Sequence, residues 1–173
     1  MLSFISNLFR TADNRTMSET IGADAPQNGI QFKPHLVNEL QRDHRELVRL
    51  FQALVVAHRE GDFDASVDCL KRFTYTLRAH LLKENLHLYV YLKHALQHDT
   101  ESADLMAGMR TEMGRIGRTL NEFVTRYTTS PWDSNARESL LGELDQIGQV
   151  LMHRIHQEEE VLYPMYMPLE RYK

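Results

Sequence analysis

Four long stretches of the sequence place apolar residues on one face at the 3.6-residue period of an amphipathic α-helix. The first follows Pro34 and stops at Gly61, the second ends near His98, the third begins near Ser102, and the fourth begins near Ser134. Long helices joined by short loops pack antiparallel to their neighbours. The sequence therefore predicts an all-α fold, an antiparallel up-down-up-down four-helix bundle.

The N-terminal part of the chain differs from the rest in composition. Residues 10–31 are polar, contain Gly, Pro, Ser and Thr, and show no apolar period. Such a segment cannot bury enough apolar surface to order itself. We therefore expect a disordered leader over residues 1–32 and a single bundle domain over residues 33–170.

Composition excludes several classes of protein. The net charge of −4 gives no basic field for direct nucleic-acid binding, and no run of about 18 apolar residues is present to span a membrane. The only cysteine, Cys69, cannot form an intramolecular disulfide, which favours a reducing, cytoplasmic setting. Because no nucleophile elbow or phosphate-binding glycine loop is present, catalytic turnover is not predicted.

Polar residues interrupt the apolar stripes at one level of the predicted bundle. His44 lies in the first stripe, His80 and Glu84 lie one turn apart in the second, and Glu158 lies in the fourth. His44 is about 17 residues before the first turn and His80 about as far after it, so the two are level in an antiparallel pair. His87 lies about one turn beyond Glu84 and is a second-tier donor.

Two imidazoles and two carboxylates in one layer of a bundle indicate a metal site. Such donors suit iron, manganese or zinc, and bundle cores are where such sites are built. The alternative is a set of core residues that hydrogen-bond to one another without a metal.

Three segments resemble the hemerythrin-like HHE cation-binding family: DHRELVRLF (43–51), HLLKENLHLY (80–89) and EEEVLYP (158–164). The resemblance extends over about residues 34–168. It implies a bundle with a di-iron centre between its helices, and a function in oxygen binding, in iron or redox sensing, or in repair of nitric-oxide damage. His80 and Glu84 occupy ligand positions of that family.

The chain departs from the family pattern at two positions. Met113 and Arg154 stand where the family has histidine, and a guanidinium cannot be a ligand. His153, five residues before Glu158, has the spacing of some hemerythrins, but a regular helix would turn it away. The predicted site is His44, His80, Glu84, His153 and Glu158. It would hold non-haem iron, as one ion or a weak pair, or another divalent cation, for sensing or stress response.

A second resemblance concerns the last helix. IGQVLMHRIHQEEEVL (147–162) is similar to the Rsd/AlgQ family, in which an arginine precedes a glutamate by four residues as Arg154 precedes Glu158. It implies a metal-free regulator that binds a sigma factor of RNA polymerase.

Three arrangements of the inward carboxylates follow from these patterns. In the first arrangement, a metal ion binds the histidines and glutamates. In the second arrangement, no metal is bound and the guanidinium of Arg154 forks onto Glu84 and Glu158. In the third, Arg154 extends to the helix edge and its guanidinium stays in water, which leaves room for the ion.

Overall fold

A computed structural model describes residues 30–129 and 132–172 of the chain. The predicted leader lies outside this part except for Ile30 to Phe32, and Phe32 packs on the rings of Tyr91 and Tyr166. The helices are α1 (Leu36–Arg59), α2 (Phe63–Lys83), α3 (Tyr89–Ala95), α4 (Thr100–Thr129) and α5 (Ser134–Gln157). The described residues form no β-strand, and the predicted all-α four-helix bundle is confirmed.

Two π-helical turns modify this regular pattern. The first π turn (Glu84–Leu88) joins α2 to α3 as one continuous helix, the second in the bundle. The second π turn (Glu158–Leu162) continues α5 and leads into short 3₁₀ segments at Tyr163–Met165 and Leu169–Tyr172. Each π turn begins at one of the two inward-facing glutamates.

The turn between α1 and α2 is encoded locally. Gly61 has a φ of 76°, a left-handed conformation that favours glycine. The Asp62 side chain accepts a hydrogen bond from the Ala65 amide at 2.9 Å and caps α2. These two residues reverse the chain within three positions, so α1 and α2 pack against each other.

The apolar core is divided into two clusters by a buried polar layer. One cluster contains Leu54, Phe73 and Leu144, and the other contains Leu40, Leu92 and Leu162. The polar residues of the layer are His44, His80, Glu84, Arg154 and Glu158, each at most 3% exposed. No helix in residues 30–129 and 132–172 is both long and apolar enough to cross a membrane.

The end of the bundle away from this layer is closed by Trp132. Its indole donates a hydrogen bond to the Tyr127 carbonyl at 2.7 Å, and its ring lies against His58 and Phe63. His58 is fourteen residues beyond His44 on α1, roughly 21 Å along the helix axis. The only tryptophan of the chain is therefore a buried residue distant from the polar layer.

Two glycines of α5 should respond oppositely to alanine. A Cβ on Gly148 would lie 2.9 Å from Cε1 of Phe51, whereas nothing lies within 4 Å of one on Gly142. We expect Gly142→Ala to raise the free energy of unfolding by about 0.5–1 kcal/mol through helix propensity. Gly148→Ala should lower it by roughly 1 kcal/mol, because overpacking outweighs that gain. Urea denaturation of both variants measures the difference, and equal stabilisation would contradict a close α1–α5 approach.

Candidate metal centre

Side chains from three of the four bundle helices converge in the polar layer. His44 comes from α1, His80 from α2, and Glu84 and Glu158 from the two π turns. The centroids of the two imidazole rings are 4.8 Å apart. The structure thus brings together four of the five residues in the predicted site.

His44 lies between two carboxylates. Its Nδ1 is 2.7 Å from Glu159 Oε1, and its Nε2 is 2.9 Å from Glu158 Oε2 and 3.2 Å from the Tyr163 hydroxyl. With Nδ1–H donating to Glu159, Nε2 presents a lone pair towards the lone pairs of Glu158. A proton or a metal ion must then lie between them.

The His80 ring is oriented like that of His44, with Nδ1 towards an outer carboxylate and Nε2 towards the inward glutamates. Its Nδ1 is 3.5 Å from Asp43 Oδ2, too far for a well-formed hydrogen bond, and Lys83 holds that carboxylate at 2.7 Å. Its Nε2 is 3.8 Å from both Glu84 Oε2 and Glu158 Oε2. Burial alone would lower the pKa of His80, but the carboxylates of Asp43 and Glu158 raise it to about 10. A metal ion that binds Nε2 of His80 would displace any proton held there.

The two inward glutamates have different surroundings. Burial, and the Glu158 carboxylate beside it, raise the pKa of Glu84. Glu84 Oε1 accepts a long hydrogen bond from Tyr163 at 3.3 Å, and Oε2 has no hydrogen-bond partner in the described part of the chain. Burial alone would also raise the pKa of Glu158, but the nearby imidazoles of His44 and His80 and the guanidinium of Arg154 hold it well below its usual range. Of the two inward carboxylates, Glu84 therefore has the fewer and longer hydrogen bonds, and His80 Nε2 lies 3.8 Å from its Oε2.

Arg154 is buried at 3% exposure, so the predicted extension of its guanidinium into water is wrong. Nε donates to Glu158 Oε1 at 2.5 Å, Nη2 to the Tyr89 hydroxyl at 2.9 Å, and Nη1 to the Met109 carbonyl at 3.3 Å. The predicted fork onto both glutamates is therefore wrong, because Arg154 donates a single hydrogen bond to Glu158. The other two guanidinium nitrogens donate to Tyr89 of α3 and Met109 of α4.

The two π turns explain which neighbours reach the centre. A π turn widens the helix and shifts the residues that follow relative to a 3.6-residue period. Tyr89 therefore faces Arg154, while the hydroxyl of Tyr91, which the regular period places beside the ligands, donates to the Met167 carbonyl. The second π turn likewise allows the adjacent residues Glu158 and Glu159 both to contact His44.

Other candidate residues lie away from the centre. His153 has an exposed side chain on α5, because the π distortion begins only at Glu158, after His153. His87 is partly exposed beside the ammonium of Lys33 at 3.1 Å. Met113 packs in the apolar core. Sequence periodicity missed Glu159 and Asp43, although each directly adjoins a predicted ligand in the sequence.

The residues present fit a metal ion. Ligand atoms of His44, His80 and Glu158 all lie within 4.8 Å of one another. Two atoms that bind one ion at about 2.1 Å are at most about 4.2 Å apart. The 2.9 and 3.8 Å separations from Glu158 Oε2 meet this limit, and the two imidazole nitrogens lie within 4.8 Å of each other. Both imidazoles direct Nδ1 to a carboxylate and Nε2 inward, as second-shell carboxylates orient metal-binding histidines.

Two spaces near this layer share part of their lining. A groove of about 410 Å³ lies between α4 and α5, and an inner cavity of about 20 Å³ lies beside His44 and Glu158. Four apolar residues line both spaces: Ile116, Leu120, Ile147 and Val150.

Comparison with known proteins agrees with this geometry. The family model described as "Hemerythrin HHE cation binding domain" matches residues 35–166, which include helices α1 to α5 and both π turns. Searches of curated proteins and of solved structures found no significant match. The match covers most of the chain, and the chain therefore belongs to the hemerythrin HHE cation-binding domain family.

Proposed function

We propose that the protein binds non-haem iron, as Fe²⁺, through His44, His80, Glu84 and Glu158. Its role would be sensing of oxygen, redox state or nitric oxide, or a response to such stress, in a reducing cytoplasmic setting. The observation that carries the proposal is the convergence of the Nε2 atoms of His44 and His80 on Glu158 Oε2, at 2.9 and 3.8 Å.

Iron matches both the donors and the surroundings of the centre. Mixed imidazole and carboxylate ligands suit Fe²⁺, Mn²⁺ and Zn²⁺. When bound, iron supplies a redox-active cation that can accept one further small ligand. The chain itself holds the His44 imidazole through Glu159, places Asp43 beside His80 Nδ1, and surrounds the layer with two apolar clusters; a groove of about 410 Å³ lies nearby.

Metal analysis tests this function directly. Protein from cells grown with ample iron is purified under anaerobic conditions for elemental analysis, and the metal-free form is then titrated with Fe²⁺. We expect retained iron and a saturable uptake. A chain that retains only traces of metal and takes up no Fe²⁺ in the titration would refute the proposal.

The carboxylate that orients His44 should affect metal affinity without being a ligand. In Glu159→Gln the amide can accept the Nδ1 proton but no longer carries the charge that increases the basicity of the imidazole. We expect affinity for Fe²⁺ to fall about 10–100-fold. Glu160→Gln is the matched control, because Glu160 is the exposed next residue of the same π turn. Equal affinities of the two variants would contradict the role of Glu159.

A sigma factor remains a second candidate partner, as the Rsd/AlgQ resemblance implies. The feature that favours it is the buried pair of Arg154 and Glu158, which that resemblance predicts without a metal. Co-purification of the tagged chain with the primary sigma subunit tests this candidate. Recovery of only nonspecific partners would count against it.

A further inference from the structure

We propose that the centre takes a single divalent ion per chain, and that the guanidinium of Arg154 occupies the place of a second cation. This inference rests on the proposed metal-binding function and specifies it. It concerns the number of ions and the role of one arginine that is not a ligand.

Glu158 has the geometry of a bridging carboxylate. Its Oε1 receives the Arg154 Nε–H at 2.5 Å, while its Oε2 faces the Nε2 atoms of His44 and His80. Carboxylates that bridge two metal ions use their oxygens in the same divided way. Here the guanidinium of Arg154 is the cation on Oε1, and the bound metal ion would be the cation on Oε2.

Arg154 is fixed in this place by groups other than Glu158. The Tyr89 hydroxyl and the Met109 carbonyl accept from its two terminal nitrogens, and Glu112 lies 3.9 Å from Nη1. A guanidinium keeps its charge at any pH a folded protein meets. The second cation position is therefore permanently filled by the chain.

The remaining donors are sufficient for only one ion. Helix α4 directs Met109 and Met113 into the core and gives the centre no imidazole or carboxylate ligand. Di-iron carboxylate bundles use about six side-chain ligands, whereas His44, His80, Glu84 and Glu158 provide four. The inner cavity of about 20 Å³ admits one water-sized occupant.

The charges of the buried centre also indicate a single divalent ion. Two carboxylates, Glu84 and Glu158, face the layer, and Arg154 already neutralises one of them. One divalent ion then compensates the remaining carboxylate with positive charge to spare. A second divalent ion would add uncompensated charge in a buried place, which is unfavourable.

The number of ions is measured with Mn²⁺, whose electron paramagnetic resonance distinguishes isolated ions from coupled pairs. Two-metal sites place their ions only about 3.5–4 Å apart, so a pair would give a coupled signal. We expect titration of the metal-free chain to end at about one Mn²⁺, with the signal of isolated ions. An end point near two ions with a coupled signal overturns this inference and leaves the metal-binding function intact. An absence of any binding of Mn²⁺ or Fe²⁺ overturns both.

Arg154→His removes the internal cation and adds a donor one turn before Glu158. We expect this variant to take up about two Mn²⁺ ions in a coupled pair, whereas Arg118→His, which changes an exposed arginine of α4, should keep the native ratio. A folded Arg154→His variant that still binds a single ion overturns the inference.

A second measurement does not depend on the folding of that variant. In crystals of the native chain soaked with Mn²⁺, anomalous scattering should show one ion beside His44, His80 and Glu158 Oε2. A second ion on the Arg154 side of Glu158 would overturn the inference.

Discussion

The His80→Ala variant should lose its metal, with affinity for Fe²⁺ falling by more than about 100-fold, beyond the usual effect of removing a supporting carboxylate. His80 Nε2 lies 3.8 Å from both inward glutamates, so its removal takes one of only two imidazoles from the set. Elemental analysis and anaerobic Fe²⁺ titration measure the loss, and circular dichroism checks that the helices remain.

His153→Ala is the matched control for this variant. His153 has the sequence spacing of a ligand, but its side chain is exposed on the outer face of α5. We expect native metal content after its replacement. If His153→Ala lost the metal while His80→Ala kept it, the centre described above would be wrong.

The Arg154→Met variant should be much less stable than the native chain in the absence of metal. Methionine fills most of the volume but leaves the buried carboxylates of Glu84 and Glu158 without a permanent cation. Breaking a buried ion pair on one side costs about 3–5 kcal/mol in the free energy of unfolding. Urea denaturation of the metal-free protein measures this difference.

A second arginine–glutamate pair provides the control. Arg126 and Glu143 also approach to 2.5 Å, but the Arg126 side chain is 59% exposed. Exposed pairs contribute about 0–1 kcal/mol, so Arg126→Met should have a small effect. Similar losses in the free energy of unfolding of both variants would mean that burial of Arg154 does not determine how much its ion pair contributes to stability. Addition of metal ion should restore part of the stability lost in Arg154→Met, since a ligand of the folded state stabilises it.

Much of the centre follows from helical periodicity because α1 and α2 are regular up to Lys83. The period therefore places His44 and His80 on facing sides of adjacent helices, and their rings lie 4.8 Å apart in the structure. The family match and the all-α bundle confirm the predictions made from the same patterns.

Periodicity fails where the helices stop being regular. After Glu84 and again after Glu158, the π turns add backbone that a count of 3.6 residues per turn does not include. Tyr89, Glu159 and Tyr163 consequently reach the centre although their phase in a regular helix does not predict it. The place of Arg154 depends on long-range partners, such as the Met109 carbonyl, that no local pattern contains.

The position of Trp132 gives the molecule a built-in optical reporter. It is the only indole in the chain, and it is buried against Tyr127 and Phe63 at the end of the bundle remote from the ligands. Its fluorescence should therefore follow global unfolding and not the immediate coordination of an ion. A change in emission when metal is added to the folded chain would mean that loading of the centre is transmitted along α1 over roughly 21 Å.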